Sequence, residues 1–485
     1  MKKWFKVIYI CIFLAICSAP LCFMPFVKND ASLEKRELSK LPSYMEKGRL
    51  NVDFSTEFEA WMSDRIPFRP QLLTGANMLK GELFHTPTSN VIDGKDGWLF
   101  YENESEDYMD TNAMTEAEVN AVAVSLSLME EAVEKNGGRF VFVPIPNKAS
   151  VYGEYMPYYY READTNNLDR VMEACGREGV SYVDMKTVLT EQKEKGLYHK
   201  RDSHWNYQGA LIGYNAIMDG LGKEHKTYET AGYSIEKNWR GDVDKLLLPA
   251  GPYAEGQYIY DIDYDDFMFT KPAGVTDPKA QLENFMSDKE QGDDLFSTKN
   301  KEIGDGSSLY MARDSFGRAL LPYMIDNYEN ATFKRTDCPD INSLAEGTDF
   351  VYEIVERNLV RLSERAPFMY APERTGISGG KSASGEGATI FTEVQGYGVS
   401  IYGAFPKDAP INRVYVSLTQ DGKSQTYEAF PIFEKELLAK QGVEDAKEGG
   451  KGFSALIDKE GLSGTYELTI SVGDRTYAGG TIELK

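Results

Sequence analysis

The sequence predicts a doubly wound α/β domain with a parallel sheet, a small all-β sandwich after it and an apolar helix before it. Three observations support this prediction. Apolar runs alternate with helical patterns between about residues 91 and 370, the period changes to two after residue 388, and an uncharged stretch lies near the first residue. Nearly unbroken apolar runs are typical of strands covered on both faces, and their alternation with helices is the pattern of an α/β layer.

The uncharged stretch runs from Val7 to Val27 and follows a short segment with three lysines. At about 1.5 Å rise per residue, it is long enough for the roughly 30 Å hydrocarbon core of a bilayer. Lysines before such a span stay in the cytoplasm. We therefore predict that residues 1–28 are an uncleaved signal-anchor and that the rest of the chain is extracytoplasmic. A cleaved signal peptide is the alternative, and Pro20 disfavours it because it follows the best cleavage position.

The composition limits the classes of partner. The chain has 485 residues, 42% of them hydrophobic, and a net charge of −23. This length supports one large domain and a smaller one, and the negative charge argues against nucleic acid, because phosphate binding needs basic patches. Three of the five cysteines lie in the apolar stretch, so Cys175 and Cys338 allow one disulfide and require none.

Composition also divides the chain after the anchor. Residues 29–90 are predicted as a polar juxtamembrane stem with a helix that leads into the α/β domain at 91–370. Residues 371–388 have the composition of a flexible linker, and residues 389–485 form the β-sandwich. Within the α/β domain, about 238–301 is rich in Asp, Tyr, Gly and Pro without clear periodicity, and we interpret it as an inserted lid or substrate-facing loop.

Local patterns predict the elements of both domains. Thr115 and Glu118 have the spacing of a capping box, and Asn136-Gly137 stops the helix that they open. Residues 139–145 form an almost unbroken apolar run, as in a buried strand. The other predicted elements are strands at 97–101, 180–183, 308–312, 349–355, 414–418 and 466–470, helices at 168–177, 208–221 and from residue 318, and a hairpin turn at Asp421-Gly422.

Ser315 follows the strand that ends at residue 312, at the carboxyl edge of the sheet where α/β folds bind ligands. A serine hydroxyl needs an imidazole to accept its proton, and the imidazole needs a carboxylate to fix its tautomer. The chain has four histidines, and only His204 lies in an Asp-x-His-Trp sequence, two residues after Asp202. We predict that Ser315, His204 and Asp202 are the catalytic residues. In the alternative interpretation, the Asp and Ser residues at both places are ordinary helix caps.

Five further residues are predicted at the oxyanion or substrate site. The amides of Phe316 and Gly317 are the first free donors of the following helix and suit a developing oxyanion. Asn147 and Lys148 come just past one strand end, and Arg357 follows another. A turn role for the first pair and a surface salt bridge for the arginine are the alternatives.

A metal site is the rival chemistry, with His199, Asp202 and His204 as ligands. Zinc sites usually combine three protein ligands with supporting hydrogen bonds, and no Glu or Cys lies between His199 and His204. We therefore predict no metal and no cofactor.

Several motifs together resemble one known family. Asp202-Ser203-His204-Trp205 precedes Asp314-Ser315-Phe316, and residues 94–101 and 144–152 lie upstream with matching patterns. This combination resembles the DHHW proteins and their relatives, the SGNH-hydrolase-like alginate O-acetyltransferases, over roughly residues 50–365. The resemblance implies an SGNH-type domain in which the Asp-x-His pair precedes the nucleophile, with Ser315 as nucleophile, His204 as base and Asp202 as orienting acid.

Two positions depart from the family pattern. Ser203 replaces a histidine, which should matter little if its side chain points away from the site. Arg313 stands where ordinary SGNH enzymes have a glycine, so the oxyanion geometry is left open.

The predicted function is an extracytoplasmic O-acyltransferase, most simply an O-acetyltransferase, that modifies hydroxyls of a cell-surface or secreted polysaccharide. A membrane-bound O-acyltransferase that supplies acetyl groups is a partner implied by the resemblance alone. An acetyl esterase of glycans and a non-catalytic glycan-binding scaffold are the alternatives. The sequence leaves the polymer, the acyl donor and the oligomeric state open.

Overall fold

The computed structural model describes residues 3–24, 26, 38–46, 49–84, 90–262, 267–286, 295–377, 383–384, 387–406, 409, 413–433 and 451–484. Several predicted features lie outside the described residues. They include residues 29–37, 47–48 and 85–89 of the predicted stem, with His85 among them, and residues 378–382 and 385–386 of the predicted linker. Residues 263–266 and 287–294 of the predicted insertion also lie outside.

The N-terminal part is mainly helical. Its elements are α1 (Lys3–Phe23), β1 (Met45–Glu46), β2 (Arg49–Leu50), α2 (Phe54–Asp64) and α3 (Arg69–Phe84). Among the described residues, no helix combines the length and the apolar character needed to cross a bilayer. The membrane anchor therefore stays a prediction.

The middle of the chain forms an α/β layer. Its strands are β3 (Val91–Asp93), β4 (Leu99–Tyr101), β5 (Phe140–Ile145), β6 (Tyr233–Trp239), β7 (Glu255–Tyr260), β8 (Phe267–Lys271), β9 (Leu295–Asn300), β10 (Ser308–Arg313), β11 (Asn330–Arg335) and β12 (Thr348–Val355). Its helices are α4 (Glu104–Tyr108), α5 (Glu116–Lys135), α6 (Lys148–Tyr152), α7 (Asn167–Glu178), α8 (Met185–Thr190), α9 (Tyr207–Gly220), α10 (Asp242–Leu247), α11 (Pro278–Met286), α12 (Leu321–Met324) and α13 (Arg361–Glu364).

The central sheet has six strands in the order β5-β12-β10-β11-β9-β8. The first four run parallel, with Met311 of β10 opposite Val351 of β12 and Phe333 of β11. β9 and β8 then pair antiparallel at the edge. The predicted α/β class is confirmed, but the prediction of a parallel sheet is wrong at this edge, where β9 and β8 are antiparallel.

Apolar side chains cover both faces of the sheet. Along β5, Val141 and Val143 pack into one core, and Phe140 and Phe142 pack into the core on the other face. All six residues of β5 are buried, because successive side chains of a strand point to opposite faces. This explains why the run 139–145 reads as unbroken rather than alternating.

Helix α5 has the predicted caps. Thr115 accepts a hydrogen bond from the Glu118 amide, and the Glu118 carboxylate accepts one from the Thr115 amide. Asn136 is the C-cap, and Gly137 follows with a φ of 81°, a left-handed conformation that favours glycine.

One local prediction is wrong, and another is correct in position but not in the type of helix. Residues 180–183 do not form a strand, because only Tyr182 bridges to Phe142 and Asp184 then caps α8. The expected helix from residue 318 is a 3₁₀ segment, Phe316–Leu320, followed by the single turn of α12.

The segment 238–301 is regular rather than loop-like in its described part. It contributes β8 and β9 to the central sheet, and β6 and β7 form a separate antiparallel pair beside it. β8 buries only alternate residues, as an edge strand with one solvated face does. Such short, half-exposed strands lack the continuous apolar run that reveals a central strand.

The C-terminal part is all-β, as predicted. Its strands are β13 (Glu373–Arg374), β14 (Ala383–Ser384), β15 (Thr389–Val394), β16 (Val399–Ala404), β17 (Val414–Gln420), β18 (Lys423–Ile432), β19 (Gly452–Ile457), β20 (Gly464–Val472) and β21 (Arg475–Leu484). Eight of them follow one path, β14-β21-β20-β17-β18-β19-β16-β15, rather than two separate sheets, and β13 pairs with β18 beside this path. β15 lies against β21, so the path nearly closes. Asp421 and Gly422 both have positive φ at the β17–β18 turn, as a two-residue hairpin requires.

Charged side chains join the β unit to the α/β layer. Arg374 donates hydrogen bonds to Glu131 of α5 and to Glu428 of β18. Arg413 donates to the same Glu428 and to Glu178 of α7. Glu428 is 1% exposed, and a buried charge needs partners. Two arginines that also bind the helices balance it. The β unit is thereby docked on α5 and α7.

The two cysteines outside the apolar stretch are unpaired. Cys175 is buried in α7, and Cys338 donates a hydrogen bond to the carbonyl oxygen of Ala366. Burial raises the pKa of the Cys175 thiol to about 12. The sequence allowed either a disulfide between these cysteines or two free thiols, and the structure has the free thiols.

Candidate active site

Ser315 lies two residues after the end of β10 and is the N-cap of the 3₁₀ segment. The preceding Asp314 fixes this turn: one carboxylate oxygen accepts from the Phe316 amide, and the other accepts from the Val355 amide and the Asn358 side chain. The turn that carries the hydroxyl is therefore tied to the carboxyl end of the neighbouring strand β12.

His204 lies in the loop before α9 and meets Ser315 in space. Its Nε2 is 2.9 Å from Ser315 Oγ, and its Nδ1 is 2.7 Å from Asp202 Oδ1. The Asp202 carboxylate also accepts a hydrogen bond from the His204 amide. The structure thus brings the three predicted residues into one hydrogen-bonded line. The N-cap of α9 is Asn206, so the interpretation of Asp202 as a helix cap is wrong.

Trp205 links the histidine loop to the serine turn. Its indole N–H donates to the Phe316 carbonyl oxygen at 3.0 Å, and its ring packs on the Phe316 ring. The side chain is 2% exposed. The residue after the histidine and the residue after the serine are therefore held together.

Two residues that the sequence did not reveal support Asp202. The indole N–H of Trp239 and the backbone amide of Asp242 both donate to Asp202 Oδ2, at 3.1 and 2.9 Å. Gly241 allows this approach, because a Cβ at that position would lie 2.0 Å from the Arg201 carbonyl oxygen. The local sequence signal is weak, since the contact joins positions about 40 residues apart.

Ser203 faces the site rather than away from it, which corrects the expectation. Its hydroxyl donates to Asp242 Oδ2 at 2.7 Å and lies 3.3 Å from His204 Nδ1. Asp242 Oδ2 is itself 3.5 Å from the same ring nitrogen. A second carboxylate therefore stands beside the imidazole, held by the residue that departs from the family pattern.

Lys148 lies behind the cavity and does not line it, so its predicted place at the substrate is wrong. Its ammonium group is fully buried and donates to the carbonyl oxygens of His199, Lys200 and Asp202 at 3.2, 3.2 and 2.5 Å. Burial lowers the pKa of Lys148, and the negative charge of Glu104 opposes this effect. Lys148 thus clamps the backbone that presents Asp202.

Asn147 is also buried, and it positions Arg357. Its amide nitrogen donates to Asp107, and its side-chain oxygen accepts from the Arg357 guanidinium at 3.2 Å. That guanidinium lies 5.3 Å from the centre of the Phe316 ring and lines the cavity. Of the two, only Arg357 reaches the cavity as predicted.

The Phe316 amide is not available for the expected oxyanion site, and the role of the Gly317 amide stays a prediction. The Phe316 amide donates to the Asp314 carboxylate at 2.9 Å, so it is committed to the turn. Gly317 packs where a Cβ would lie 2.7 Å from both Arg313 and Glu353, and it is not among the residues that line the cavity. The Phe316 side chain, in contrast, forms part of the cavity wall.

A cavity of about 590 Å³ opens over Ser315 and His204. Its walls combine aromatic rings with three guanidinium groups, from Arg318, Arg335 and Arg357. Cavities of this size hold drug-sized ligands, and cations near a nucleophile stabilise negative charge that develops during acyl transfer.

The side chains that could bind a metal in the structure differ from the predicted set of His199, Asp202 and His204. The described ligand atoms that cluster are those of Asp202, His204 and Asp242, all within 4.8 Å of one another. His199 is not in this group: its Nδ1 faces Glu255 at 3.4 Å, and its ring stacks on Trp239. Both ring nitrogens of His204 already have protein partners, an arrangement that suits proton transfer better than metal ligation.

Comparison with known proteins supports the sequence resemblance. Residues 91–258 match the family described as SGNH hydrolase-like domain, acetyltransferase AlgX. A probable alginate O-acetylase AlgJ of Pseudomonas syringae is 26% identical over 335 residues, covering 65% of this chain and 75% of that protein. The probable alginate O-acetylase AlgJ of Pseudomonas aeruginosa is 28% identical over 180 residues, covering 36% and 43%.

A search of solved structures matches PatB1 of Bacillus cereus, with a TM-score of 0.44 and 15% identity over 56% of this chain and 97% of that one. A DHHW family protein of Eubacterium siraeum has a TM-score of 0.39 and 14% identity over 56% and 98%. The sequence matches confirm the predicted resemblance to SGNH-like O-acetyltransferases and the prediction of an enzyme of this class.

Proposed function

We propose that this protein transfers an acyl group, acetyl in the simplest case, to hydroxyls of an extracytoplasmic polysaccharide through an acyl-enzyme on Ser315. One observation carries the proposal: Ser315 Oγ, His204 Nε2, His204 Nδ1 and Asp202 Oδ1 follow one another at 2.9 and 2.7 Å at the floor of a large cavity. These are hydrogen-bond distances, the range in which a base removes a hydroxyl proton. The relatives named for alginate O-acetylation support a polysaccharide acceptor.

In the first half-reaction, Ser315 Oγ attacks the carbonyl carbon of the acyl donor while His204 Nε2 takes the hydroxyl proton. Asp202 holds the ring with Nδ1 protonated and stabilises the resulting imidazolium. The tetrahedral intermediate carries a negative oxygen, and the Arg357 guanidinium in the same cavity is our candidate for its stabilisation. Collapse breaks the bond to the leaving group, which receives the proton from His204.

In the second half-reaction, His204 accepts the proton of an acceptor hydroxyl as its oxygen attacks the acyl carbon. Collapse of this intermediate breaks the bond to Ser315 Oγ, and the serine oxygen takes the proton back from His204. If water enters in place of the sugar, the same steps release the free acid. Transfer therefore depends on an acceptor that displaces water from the cavity.

A fluorophosphonate probe tests the nucleophile. We expect labelling of the folded protein at Ser315 and loss of labelling in His204→Ala. The control is His225→Ala, because His225 contacts Asn215 in another part of the fold. Absence of labelling in folded wild-type protein would favour the scaffold function and contradict the proposal.

Product analysis separates transferase from esterase. Wild-type protein is incubated with an acetylated surrogate ester, with and without a glycan acceptor. We expect acetylated glycan when the acceptor is present and slow acetate release when it is absent. Equal acetate release under both conditions, without acetylated glycan, would identify an esterase.

We also propose that the N-terminal segment anchors the protein in the membrane with its catalytic part outside the cytoplasm, where a membrane-bound acyltransferase supplies acetyl groups. The support is the uncharged stretch from Val7 to Val27 after three lysines. Protease added to intact cells should digest the catalytic part. Digestion only after lysis would contradict this location.

A further inference from the structure

A second cavity, of about 500 Å³, adjoins the one over Ser315. The two share Tyr207, Trp239, Gln257 and Met286 as lining residues, so they form one continuous cleft. Trp239 is the divider: its indole N–H binds Asp202, and its ring borders both cavities. A chain that lies in the second cavity therefore reaches towards the serine past this ring.

The floor of the second cavity is apolar. Leu282, Ile262 and Tyr323 are buried there, and the half-buried ring of Tyr260 packs against Tyr323. Aromatic and aliphatic surfaces of this kind pack against the C–H faces of sugar rings, while polar groups around them bind hydroxyls.

The rim of the second cavity is acidic. Among the described lining residues, Glu236, Asp261 and Glu283 carry three exposed carboxylates, against the one ammonium group of Lys279. The described lining of the cavity over Ser315 has the opposite balance, with three guanidinium groups and two carboxylates that already bind His204 and Ser203. The cleft thus changes from cationic at the nucleophile to acidic at the adjoining cavity.

We propose that the second cavity is the acceptor subsite and that it selects glycans without negative charge, either neutral or amino-bearing, over polyuronates. This inference deepens the proposed function and rests on it, since it assigns the acceptor of the same serine. A carboxylate on every sugar would face three fixed negative charges, whereas a neutral ring packs on the apolar floor and an amine gains a favourable partner.

Acetyl transfer to three pentasaccharides tests this selectivity: β-1,4-linked glucosamine, β-1,4-linked N-acetylglucosamine and β-1,4-linked mannuronate. We expect wild-type protein to acetylate the first two at least about tenfold faster than the third, since each exposed charge contributes a factor of a few. The double variant Glu236→Lys, Glu283→Lys should slow the glucosamine acceptor and speed the mannuronate acceptor. Hydrolysis of a surrogate ester without acceptor, measured for wild-type protein and every variant, gives the rate against which each transfer rate is normalised.

The matched control is Glu346→Lys, an exposed carboxylate before β12 at the end of the sheet away from Ser315. The inference would be overturned if wild-type protein preferred mannuronate, or if the double variant had the same selectivity as wild type. In either case, continued hydrolysis of the surrogate ester would leave the proposed function intact. Binding of the same pentasaccharides to the Ser315→Ala variant, measured by calorimetry, tests the subsite without catalysis. Mannuronate binding as tight as glucosamine binding would overturn it there too.

Discussion

The two walls of the cleft are built differently. The wall that carries Ser315, His204 and Asp202 comes from the carboxyl ends of buried parallel strands and from a loop clamped by the buried Lys148. The opposite wall comes from β6, β7 and α11, where the carboxylates of Glu236 and Glu283 are exposed. In the first wall the side chains of Ser315, His204 and Asp202 hydrogen-bond to one another and to fixed neighbours, so position determines their function. In the second wall, charge and apolar surface determine what a residue does. Substitutions should therefore act abruptly on one wall and gradually on the other.

The largest expected effect on activity comes from removing a member of the hydrogen-bonded line Ser315–His204–Asp202. Ser315→Ala or His204→Ala should lower the turnover of a surrogate ester by roughly 10⁵-fold or more, because the parts of a triad act as a unit. Asp202→Asn should cost less. Rate measurements on folded variants check this, with Glu283→Lys as the comparison from the other wall. A loss of less than about tenfold in His204→Ala would show that another base serves Ser315.

The clamp behind the catalytic wall gives the next effect. Lys148→Met removes three hydrogen bonds to the loop and one of the two positive charges, with that of Arg357, that oppose the effect of burial on Glu104. Removing one member of a buried pair typically costs about 3–5 kcal/mol in the free energy of unfolding.

Urea unfolding measures this cost, and the double variant Lys148→Met, Glu104→Gln should recover part of it. If Lys148→Met unfolds at the wild-type urea concentration and keeps full activity, the clamp does not hold the loop.

A pH dependence of stability distinguishes the buried wall from the exposed one. Burial, together with the charge of Asp107, raises the pKa of Glu356 to about 8 from its usual 4.5. Between these values the folded state holds a proton that the unfolded chain has lost, so the free energy of unfolding should fall as the pH rises from about 4.5 to about 8. One pKa unit corresponds to about 1.4 kcal/mol, so the total is a few kcal/mol.

Urea unfolding across this pH range measures the slope in wild type and in Glu356→Gln, which lacks the titrating group. We expect a shallower fall in the variant. Parallel curves for the two proteins would mean that Glu356 is ionised in the folded state throughout. Glu346→Gln, at an exposed position, serves as the control.

The smallest expected effect concerns the residue that belongs to both walls. Trp239→Phe keeps an aromatic ring between the cavities but removes the N–H that binds Asp202. A single hydrogen bond to a charged group contributes about 1.5–3 kcal/mol at most. Asp202 keeps its bond from the Asp242 amide, so we expect ester turnover to fall by about threefold to tenfold, measured as kcat. A loss as large as that of His204→Ala would mean that the two walls cannot be separated.

The sequence predicted the first wall better than the second, for a physical reason. Ser315 and His204 were predictable because an apolar strand, a turn and a short motif are local features that fix where a side chain emerges. Trp239 and Asp242 were missed because their role comes from contacts with Asp202 that depend on how distant loops pack. Asn147 and Lys148 were placed at the correct strand end, but strand position does not reveal whether a side chain points into the cavity or behind it.

The edge of the fold was missed for a related reason. β8 and β9 complete the central sheet, yet β8 is exposed at Met268 between two buried residues and β9 carries polar residues from Ser297 to Asn300, so neither gives a continuous apolar run. Patterns dominated by burial thus reveal the interior of the sheet, and they leave its solvated edge unassigned.

The indole bond from Trp205 to the Phe316 carbonyl has a consequence for heat inactivation. Because it joins the neighbour of the base to the neighbour of the nucleophile, thermal displacement of one loop carries the other with it, and the spacing for proton transfer is preserved during small fluctuations. Activity should then persist almost undiminished up to the melting temperature and vanish together with the tertiary structure, instead of declining gradually beforehand.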